Sequence, residues 1–546
     1  MAVPGADSEV LVVGGGPVGL ACAIELGTRG VRVLLVERNN RAGLAPRAKT
    51  TNVRTRTHLR RWGIADRLAE EAPFGVDYPN NMVFVTRLAG RELARFGNAF
   101  NASPERSPLY PEHAQWVPQY KLEKVLLEKA RSLPGVEVRF STRLAEATQD
   151  EEGVAAVIES EAGRQTVRCR FMVGADGARS LVRDLIGAKM EGRGGLNHAY
   201  NIIFRAPGLA QAHQHGPAAI YWQMGAQGFS AIGPMDNDDR WFFGPGAIAP
   251  GVEISKAEAA ALIRERTGID LDYEVLSADS WTASELLADR YREGRIFLAG
   301  DACHLHPPAG GYGMNMGIGD GVDLGWKMAA TLQGWGGPEL LDSYQTERRV
   351  VHRFVIDEAM ANYAIYVAPI PRQIEDETAE GEAIREQVGA GVRASKAREF
   401  KTLGTVLGLR YSSPLIAADD ETPPPHDSQV YRPSTRPGCL TPHLWLDEGV
   451  SLYDRLGAGF TLIAGPGADA SAAAAALAEA QAAGIPLVVV DLADASGEGA
   501  ELYERLNVLV RPDQHIAWRG GSWVAGRLAV AAGLPRRAWT RATLTA

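Results

Sequence analysis

Three glycines near the start of the chain have the types and spacing of a dinucleotide site. Gly14, Gly16 and Gly19 follow the apolar run 10–13 and accompany a helical pattern that begins at Pro17. The first glycine permits a tight turn, the second lets the backbone approach a pyrophosphate, and the third lets helix and strand pack closely. The sequence therefore predicts a helix N-terminus that faces phosphate groups.

A carboxylate lies where such a site needs one. The apolar run 31–36 predicts a second strand, which ends at Glu37 and Arg38. Glu37 can accept hydrogen bonds from ribose hydroxyls and would repel a 2′-phosphate. A glycine-rich turn of this kind does not by itself distinguish FAD from NAD.

Two further segments each place an aspartate after a short apolar run. The run 171–173 leads into Asp176, with Arg179, Ser180 and Arg183 downstream. An Asp-Gly turn that caps a following helix explains this segment as well as a ligand does. The run 296–299 predicts a strand that leads to Asp301, and open α/β sheets bind ligands at this carboxyl end of their strands.

A proline- and glycine-rich loop and a helix follow Asp301. The helix is predicted to begin near Gly313, and the loop and first turn contain Pro308, Gly311, Gly313, Met314 and Asn315. The positive end of this helix would favour negative charge on a ligand.

With these segments the chain resembles the group A flavoprotein monooxygenases. Residues 172–183 resemble the DG motif of that family and residues 295–315 its GD motif, and 46–55, 117–130 and 341–349 are also similar. The resemblance covers almost the whole chain and is of the bacterial phenol type, as in 2,4-dichlorophenol hydroxylase and the aromatic polyketide hydroxylases.

The resemblance implies a reaction and its cofactors. NADPH or NADH would bind transiently and reduce FAD, and oxygen would then form a flavin C4a-hydroperoxide that hydroxylates a phenolic or polycyclic aromatic ring. The family's flavin contacts correspond here to Arg47, Arg54 and Gln119. The full set of residues predicted to bind the cofactor is Gly14, Gly16, Pro17, Gly19, Glu37, Arg38, Arg47, Gln119, Asp176, Asp301, Pro308, Gly311, Gly313, Met314 and Asn315.

One departure from the family concerns the base for the phenol. Eukaryotic-type phenol hydroxylase has an aspartate five residues before the arginine of its RT pair, whereas this chain has Lys49 before Arg54. A carboxylate base is therefore not expected there. Lys49, Tyr200, Tyr221 and His304 stay open as candidates.

The predicted fold class is α/β. Residues 1–189 and 285–425 are expected to form a Rossmann-like FAD-binding domain of the glutathione-reductase type, with a helical linker and with a short excursion near 80–112 that belongs to the substrate domain. Alternating apolar residues in 190–284 predict an inserted antiparallel sheet for the substrate. Its expected substrate contacts, together with Pro308 from the loop, are Trp222, Met224, Phe229 and Phe243.

A proline cluster at 423–425 precedes a further unit. Alternating strand and helix patterns predict a thioredoxin-like domain over 426–546. This unit has no paired cysteines and so cannot perform dithiol exchange. We expect it to be structural and to support assembly, possible dimer formation included.

Composition excludes several classes of protein. The 546 residues are 45% hydrophobic with a net charge of -9, which allows several cores and argues against a nucleic-acid partner. The sequence lacks a long apolar run and an apolar leader, so we expect no membrane association and a cytoplasmic location.

No metal is expected. The four cysteines are scattered and favour reduced thiols. His213 and His215 form one alternate pair, and His304 and His306 form another, but neither pair has the further ligands that a metal needs.

Alternative functions use the same scaffold. The WxWxIP signature of flavin halogenases does not occur in this sequence. A Baeyer–Villiger or epoxidising monooxygenase shares the cofactor motifs and differs in the shape of the pocket. From another class, the chain could be a non-catalytic flavoprotein redox sensor.

Overall fold

The computed structural model describes residues 8–40, 48–249, 251–364, 369–419, 425–495 and 498–535. The strands in these ranges are β1 (Val10–Val13), β2 (Val33–Val36), β3 (Thr50–Thr51), β4 (Met82–Val85), β5 (Glu92–Phe96), β6 (Gln115–Trp116), β7 (Val136–Arg139), β8 (Arg143–Gln149), β9 (Val154–Ser160), β10 (Gly163–Cys169), β11 (Phe171–Gly174), β12 (Met190–Arg205), β13 (Ile220–Gly225), β14 (Gly228–Pro234), β15 (Arg240–Gly244), β16 (Glu274–Ala288), β17 (Arg292–Glu293), β18 (Ile296–Leu298), β19 (His304–Leu305), β20 (Trp445–Asp447), β21 (Val450–Ser451), β22 (Phe460–Ala464), β23 (Leu487–Asp491), β24 (Asn507–Val510) and β25 (Ile516–Gly520).

Helices cover the sheets and connect them. They are α1 (Pro17–Gly27), α2 (Val53–Arg61), α3 (Ala65–Glu71), α4 (Gln119–Ser132), α5 (Leu181–Leu185), α6 (Lys256–Thr267), α7 (Gly313–Leu332), α8 (Pro338–Tyr363), α9 (Ala379–Phe400), α10 (Leu403–Leu407), α11 (Ala470–Ala483) and α12 (Arg527–Ala531). In the part of the chain that the structure describes, no helix combines the length and the apolar character needed to span a bilayer.

A six-stranded sheet brings the three predicted motifs together. Its order is β17-β18-β11-β1-β2-β7, and all neighbours are parallel except β17 and β18. The strands β1, β2, β11 and β18 are fully buried apolar runs, as is typical of a parallel sheet covered on both faces. Because β18, β11 and β1 are adjacent, the turns that follow them meet at one edge of the sheet.

A second sheet of eight strands lies beside the first. Its order is β19-β16-β12-β15-β14-β13-β4-β5. The strands β4 and β5 of this sheet lie within the excursion near 80–112 that was assigned to the substrate domain. The pair β13–β4 is parallel, so the sheet is mixed and not antiparallel throughout as expected. Sequence alternation identifies a strand but not the direction of its partner.

The two faces of this sheet have different surroundings. We call the first the Trp222 face, since Trp222, Met224, Phe229 and Phe242 lie on it. The opposite side, the α6 face, is covered by Ala259 and Ile263 of α6. Its buried side chains include Tyr200, Tyr221, Ile232 and Phe243.

Helices α1 and α7 pack against each other through glycines. A Cβ added at Gly321 would lie 2.9 Å from the backbone nitrogen of Cys22 and 2.9 Å from the oxygen of Val18. At Gly317 it would lie 2.5 Å from the Val18 side chain. The absence of side chains at these positions lets the two helices approach closely, and this holds their N-terminal ends near each other.

The C-terminal unit has its own four-stranded sheet in the order β23-β22-β24-β25. The strands β22 and β23 are parallel and are joined through α11, whereas β24 is antiparallel to β22 and to β25. Its core contacts α7 through Trp326 and Ala330. The chain therefore has a mixed α/β fold.

Candidate active site

The turn between β1 and α1 has the geometry that a phosphate group requires. Gly14 has φ +113°, and a Cβ there would lie 2.2 Å from the Ala175 oxygen. A Cβ at Gly19 would lie 1.9 Å from the Gly14 oxygen, whereas the space beside Gly16 is open within 4 Å. The first turn of α1 has no side-chain cap, and Pro17 lies in that turn. Its backbone N–H groups are therefore available to an anionic ligand.

Glu37 lies beside this turn at the end of β2. Its Oε2 accepts a hydrogen bond from the Gly15 N–H at 2.7 Å, and Oε1 accepts from the Asn39 N–H at 2.8 Å. These bonds fix the orientation of the carboxylate. Arg38 is exposed next to it, whereas Arg47 lies outside the described residues.

Asp176 follows the neighbouring strand and contacts the first turn of α5, whose N-cap is Ser180. Its carboxylate accepts from Ser180 Oγ at 2.5 Å and from the Val182 N–H at 3.2 Å, and burial raises its pKa. Arg183 of the same helix donates to the Ala302 oxygen at 3.3 Å, while Arg179 is exposed. The capping interpretation of this segment thus accounts for its contacts among the described residues.

Asp301 follows the third strand of the group. Gly300 has φ +63°, and a Cβ there would lie 2.8 Å from the Val18 side chain of α1. The Asp301 side chain is exposed at the same edge of the sheet as the glycine turn. One edge therefore presents Glu37 and Asp301 on either side of the first turn of α1.

The start of α7 is tied to the segment that contains β3. Asn315 Nδ2 donates to the Thr50 oxygen at 2.9 Å and to the Gly311 oxygen at 2.8 Å, and its Oδ1 accepts from the Asn52 N–H at 3.0 Å. The Asn315 side chain is thus occupied by the protein, so a ligand here would meet backbone groups of Gly313 and Met314. Pro308 is exposed in the loop that leads into this turn.

Gln119 and Arg54, which correspond to flavin contacts of the family, also form hydrogen bonds within the protein. Gln119 Nε2 donates to Glu123 Oε1 at 2.7 Å, and its backbone N–H donates to the Ala48 oxygen at 2.9 Å. Arg54 donates to Gln514 Oε1 and, at 2.6 Å, to the Asp513 oxygen. The guanidinium of Arg54 therefore links α2 to the C-terminal unit.

A buried polar network supports the loop around Asp301, and the sequence analysis missed it. Asp320 Oδ2 binds His304 Nε2 at 3.0 Å, and Asp320 Oδ1 binds His352 Nε2 at 2.9 Å and Arg348 Nε at 2.7 Å. Burial opposes ionisation of Asp320, but His352 and Arg348 hold its pKa well below the usual value. Charged residues within a helix that is otherwise mostly apolar and glycine-rich, Asp320 among them, were the available signal.

This network holds the His304 ring in place through one of its two nitrogens. The ring is buried, and its Nε2 is held by Asp320. The ligand atoms of Cys303, His304, Asp320 and His352 lie within 4.8 Å of one another. However, the guanidinium of Arg348 already neutralises Asp320, so these contacts are explained without a metal.

Phe243 and Trp222, both predicted as substrate contacts, lie on opposite faces of the sheet. The register pairs Phe243 with Ile232 and places it in the core under α6, whereas Phe242 pairs with Gly233 and lies on the Trp222 face. Adjacent residues of a strand point to opposite faces, so a shift of one residue decides which ring lies on the Trp222 face. The Trp222 and Phe229 rings are stacked at 5.3 Å on that face, with Met224 beside them in the same cluster.

Two other base candidates lie on the α6 face. Tyr221 donates its hydroxyl to the Gly216 oxygen, and Tyr200 donates to the Val252 oxygen at 2.8 Å. Burial raises the pKa of Tyr221. Neither hydroxyl lies on the side of the sheet that carries Trp222.

Lys49 is the candidate that reaches the Trp222 face. Its Nζ lies 2.8 Å from the centroid of the Phe242 ring and 5.9 Å from that of Trp116. Burial lowers the pKa of this amine well below the usual value. The structure therefore brings together Lys49, the aromatic rings of the second sheet and the start of α7.

Comparison with known proteins agrees with this geometry. Residues 7–359 match the model of an FAD-binding domain, and residues 434–537 match that of an aromatic-ring hydroxylase C-terminal domain. A 4-methyl-5-nitrocatechol 5-monooxygenase from a Burkholderia species is 34% identical, covering 94% of each chain.

Two solved structures are similar over almost the whole chain. The rebeccamycin biosynthetic enzyme RebC with reduced flavin is 32% identical with a TM-score of 0.88, covering 97% of this chain and 99% of that one. Aklavinone-11 hydroxylase in a complex with FAD and aklavinone is 32% identical with a TM-score of 0.82, covering 99% and 100%.

Proposed function

This chain belongs to the family of FAD-dependent aromatic-ring hydroxylases and is a flavoprotein monooxygenase, and we propose that it hydroxylates a phenolic or polycyclic aromatic ring held on its Trp222 face. The similar proteins act on or bind aromatic compounds, which supports hydroxylation and favours neither the sensor nor the Baeyer–Villiger alternative.

The residues at the edge of the first sheet fit FAD. Bound FAD would accept hydride from NADPH or NADH and activate dioxygen. The uncapped first turn of α1 and the open space at Gly16 suit the pyrophosphate. Glu37 would accept from the adenosine ribose and Asp301 from the ribityl chain.

The start of α7 suits the flavin end of the cofactor. It too lacks a side-chain cap, so its backbone N–H groups can stabilise negative charge on the ring. The remaining predicted cofactor residues, Arg38, Arg47, Gln119 and Asp176, stay predictions. So do the choice of nicotinamide, the cytoplasmic location and dimer formation.

The observation that carries the substrate proposal is the link between the two sheets. Asn315 joins the start of α7 to the β3 segment, and Lys49 of that segment reaches the Phe242 ring. A planar ring on the Trp222 face would therefore lie between aromatic side chains and the flavin end of the cofactor site. Such a pocket would also limit the access of water to the reacting atoms.

We also propose a thioredoxin-like fold for the C-terminal unit and a glutathione-reductase-type fold for the discontinuous FAD-binding domain. The order β22, α11, β23, β24, β25 and α12, with one parallel and two antiparallel pairs, supports the former. Its cysteine, Cys439, is buried, which supports a structural role.

The test uses the purified protein loaded with FAD. Phenols and polycyclic phenols should accelerate NADH or NADPH oxidation, and one oxygen atom from isotopically labelled dioxygen should appear in a ring hydroxyl of the product. Trp222→Ala should raise KM and release more hydrogen peroxide. Tyr221→Phe, on the α6 face, is the matched control and should keep the coupling. If no phenol stimulates oxidation, or if the labelled oxygen enters a lactone or an epoxide, the proposal fails.

A further inference from the structure

The backbone around Lys49 is hydrogen-bonded to the segment between β6 and α4 and to the start of α7. Its carbonyl accepts from the Val117 N–H at 2.7 Å, next to β6 and α4. The following residue, Thr50, is held by Asn315 at the start of α7. The lysine side chain therefore extends from a segment that is hydrogen-bonded both to the residue after β6 and to the start of α7.

The amine of Lys49 has an apolar environment. Its Nζ lies over the Phe242 ring, and within the described ranges it forms neither an ion pair nor a hydrogen bond. Desolvation lowers its pKa well below the ordinary value, and no charge on a described residue contributes. The Lys49 side chain is half-buried, and a desolvated ammonium without a counter-ion is costly, so these surroundings favour the neutral amine.

The titratable groups on the surrounding elements do not provide a negative charge that could pair with Lys49. Arg240 of β15 is paired with Asp236 at 3.0 Å. Burial raises the pKa of Tyr120 on α4 and lowers that of His306, in the loop before α7, to about 4. Both groups are therefore neutral near pH 7 and provide no negative charge for Lys49.

We propose that Lys49 is the base and then the counter-ion for the phenolic hydroxyl of the substrate. The phenol O–H bond breaks, the proton and Nζ form an N–H bond, and the resulting ammonium holds the phenolate by a charge-assisted hydrogen bond. The step conserves net charge and needs no other reactant. The phenolate donates electron density to its ortho and para carbons, which are the positions that an electrophilic oxygen attacks.

This role defines the class of substrate, and it rests on the proposed function. The amine selects phenols whose hydroxyl is acidified by electron-withdrawing substituents or by a fused carbonyl-bearing ring. A methyl ether of the same ring has no proton to transfer and leaves the pocket without an anion. Acidic phenols should therefore bind better than neutral analogues of equal size and shape.

The test observes ionisation directly, without turnover. 4-Nitrophenol absorbs differently as phenol and as phenolate, and difference spectra against the FAD-loaded protein report its state when bound. We expect the bound ligand to ionise at least about one pH unit below the free compound. In Lys49→Met it should ionise at or above the pH of the free compound. Lys49→Arg retains the cation and should bind phenolate, although a permanently charged guanidinium accepts no proton.

Turnover provides a second readout. Lys49→Met should lower kcat/KM for the best phenol by about a hundredfold or more, with a rise in peroxide release. Lys256→Met removes the same charge from an exposed position on α6 and should change neither property. Flavin content and melting temperature of each variant verify that the fold is intact.

The outcomes separate this inference from the proposed function. If phenols are hydroxylated but nitrophenol ionises identically in wild type and Lys49→Met, Lys49 is not the base and only this inference is overturned. If nitrophenol is ionised through Lys49 but no phenol is hydroxylated, the proposed function is overturned instead. If Lys49→Met loses FAD, the difference spectra of Lys49→Arg and of Lys49→Gln show instead whether ionisation of bound nitrophenol depends on the amine. Equal ionisation in wild type and Lys49→Gln overturns this inference.

Discussion

Replacement of Arg511 by methionine should loosen the C-terminal unit. Arg511 is fully buried and donates to Glu347 at 2.7 and 2.9 Å, to Asp513 at 2.6 Å and to Asp323 at 3.3 Å. Lys327 is the second cation of this cluster, 2.7 Å from Glu347 and 2.9 Å from Asp323. These contacts connect β24 and its following turn to α7 and α8.

The magnitude follows from the charges. Burial raises the pKa of Asp323 to about 7, whereas Arg511 and Lys327 hold Glu347 in its ionised form against the cost of its burial. When Asp323 is protonated, the cluster has two cations against the anions Glu347 and Asp513. Arg511→Met leaves one buried anion uncompensated, which costs about 3 to 5 kcal/mol. Methionine retains much of the apolar contact of Arg511 with the Trp326 ring, so the loss is mainly electrostatic.

Hydrogen exchange followed by mass spectrometry measures this cost. Amides of β22 and β24 should exchange roughly a hundred- to several-thousandfold faster in Arg511→Met. Adding Glu347→Gln restores the charge balance and should recover part of the protection. Arg519→Met removes a partly exposed partner of Asp419 and should cost about 1 kcal/mol or less. Equal protection in wild type and Arg511→Met, or no recovery in the double variant, would refute the reasoning.

Three further changes test other parts of the structure. Gly321→Ala should separate α1 from α7, lower the free energy of unfolding by about 1 to 3 kcal/mol and weaken FAD retention. Gly391→Ala, in open space on α9, is the control and should have none of these effects. Flavin fluorescence and thermal unfolding measure both variants. Glu37→Gln and Asp301→Asn should each raise the Kd for FAD about tenfold in equilibrium dialysis; unchanged affinity in both would contradict the assigned cofactor contacts. The pKa of Asp323 is about 7 in the folded protein and lower in the unfolded chain, so between these two values only the folded protein keeps this carboxyl protonated. The free energy of unfolding therefore falls as pH rises through that window. Asp323→Asn should flatten this part of the curve of urea midpoint against pH, and an unchanged slope would exclude Asp323 as its source.

The sequence predicted the local turns well because their chemistry is local. The strands before Gly14, Asp176 and Asp301 occur within two residues of the expected bounds, and α7 begins at Gly313 as expected. The positive φ angles of Gly14 and Gly300 leave few other residues possible at those positions. Motif reasoning therefore identified one edge of a sheet before any tertiary contact was known.

The sequence did not show which side chains of the second sheet share a face. Phe243 was grouped with Trp222, but it lies on the α6 face, because an alternating pattern identifies a strand without fixing which of its faces meets the cofactor. Tyr200 and Tyr221 were open candidates for the same reason, and both lie under α6. Which residues share a face of the sheet depends on the strand register, including the parallel pairing of β13 with β4, and the sequence does not reveal that register.

The sequence by itself determined that a mixed α/β fold would present glycine turns and carboxylates at the carboxyl ends of neighbouring strands, since backbone conformation and strand periodicity are properties of short segments. Only the tertiary structure decided that Asp320 lies among His304, His352 and Arg348, and that Lys49 reaches Phe242. These contacts join residues far apart in the chain. Their energies depend on burial and on neighbouring charges, which a linear sequence does not contain.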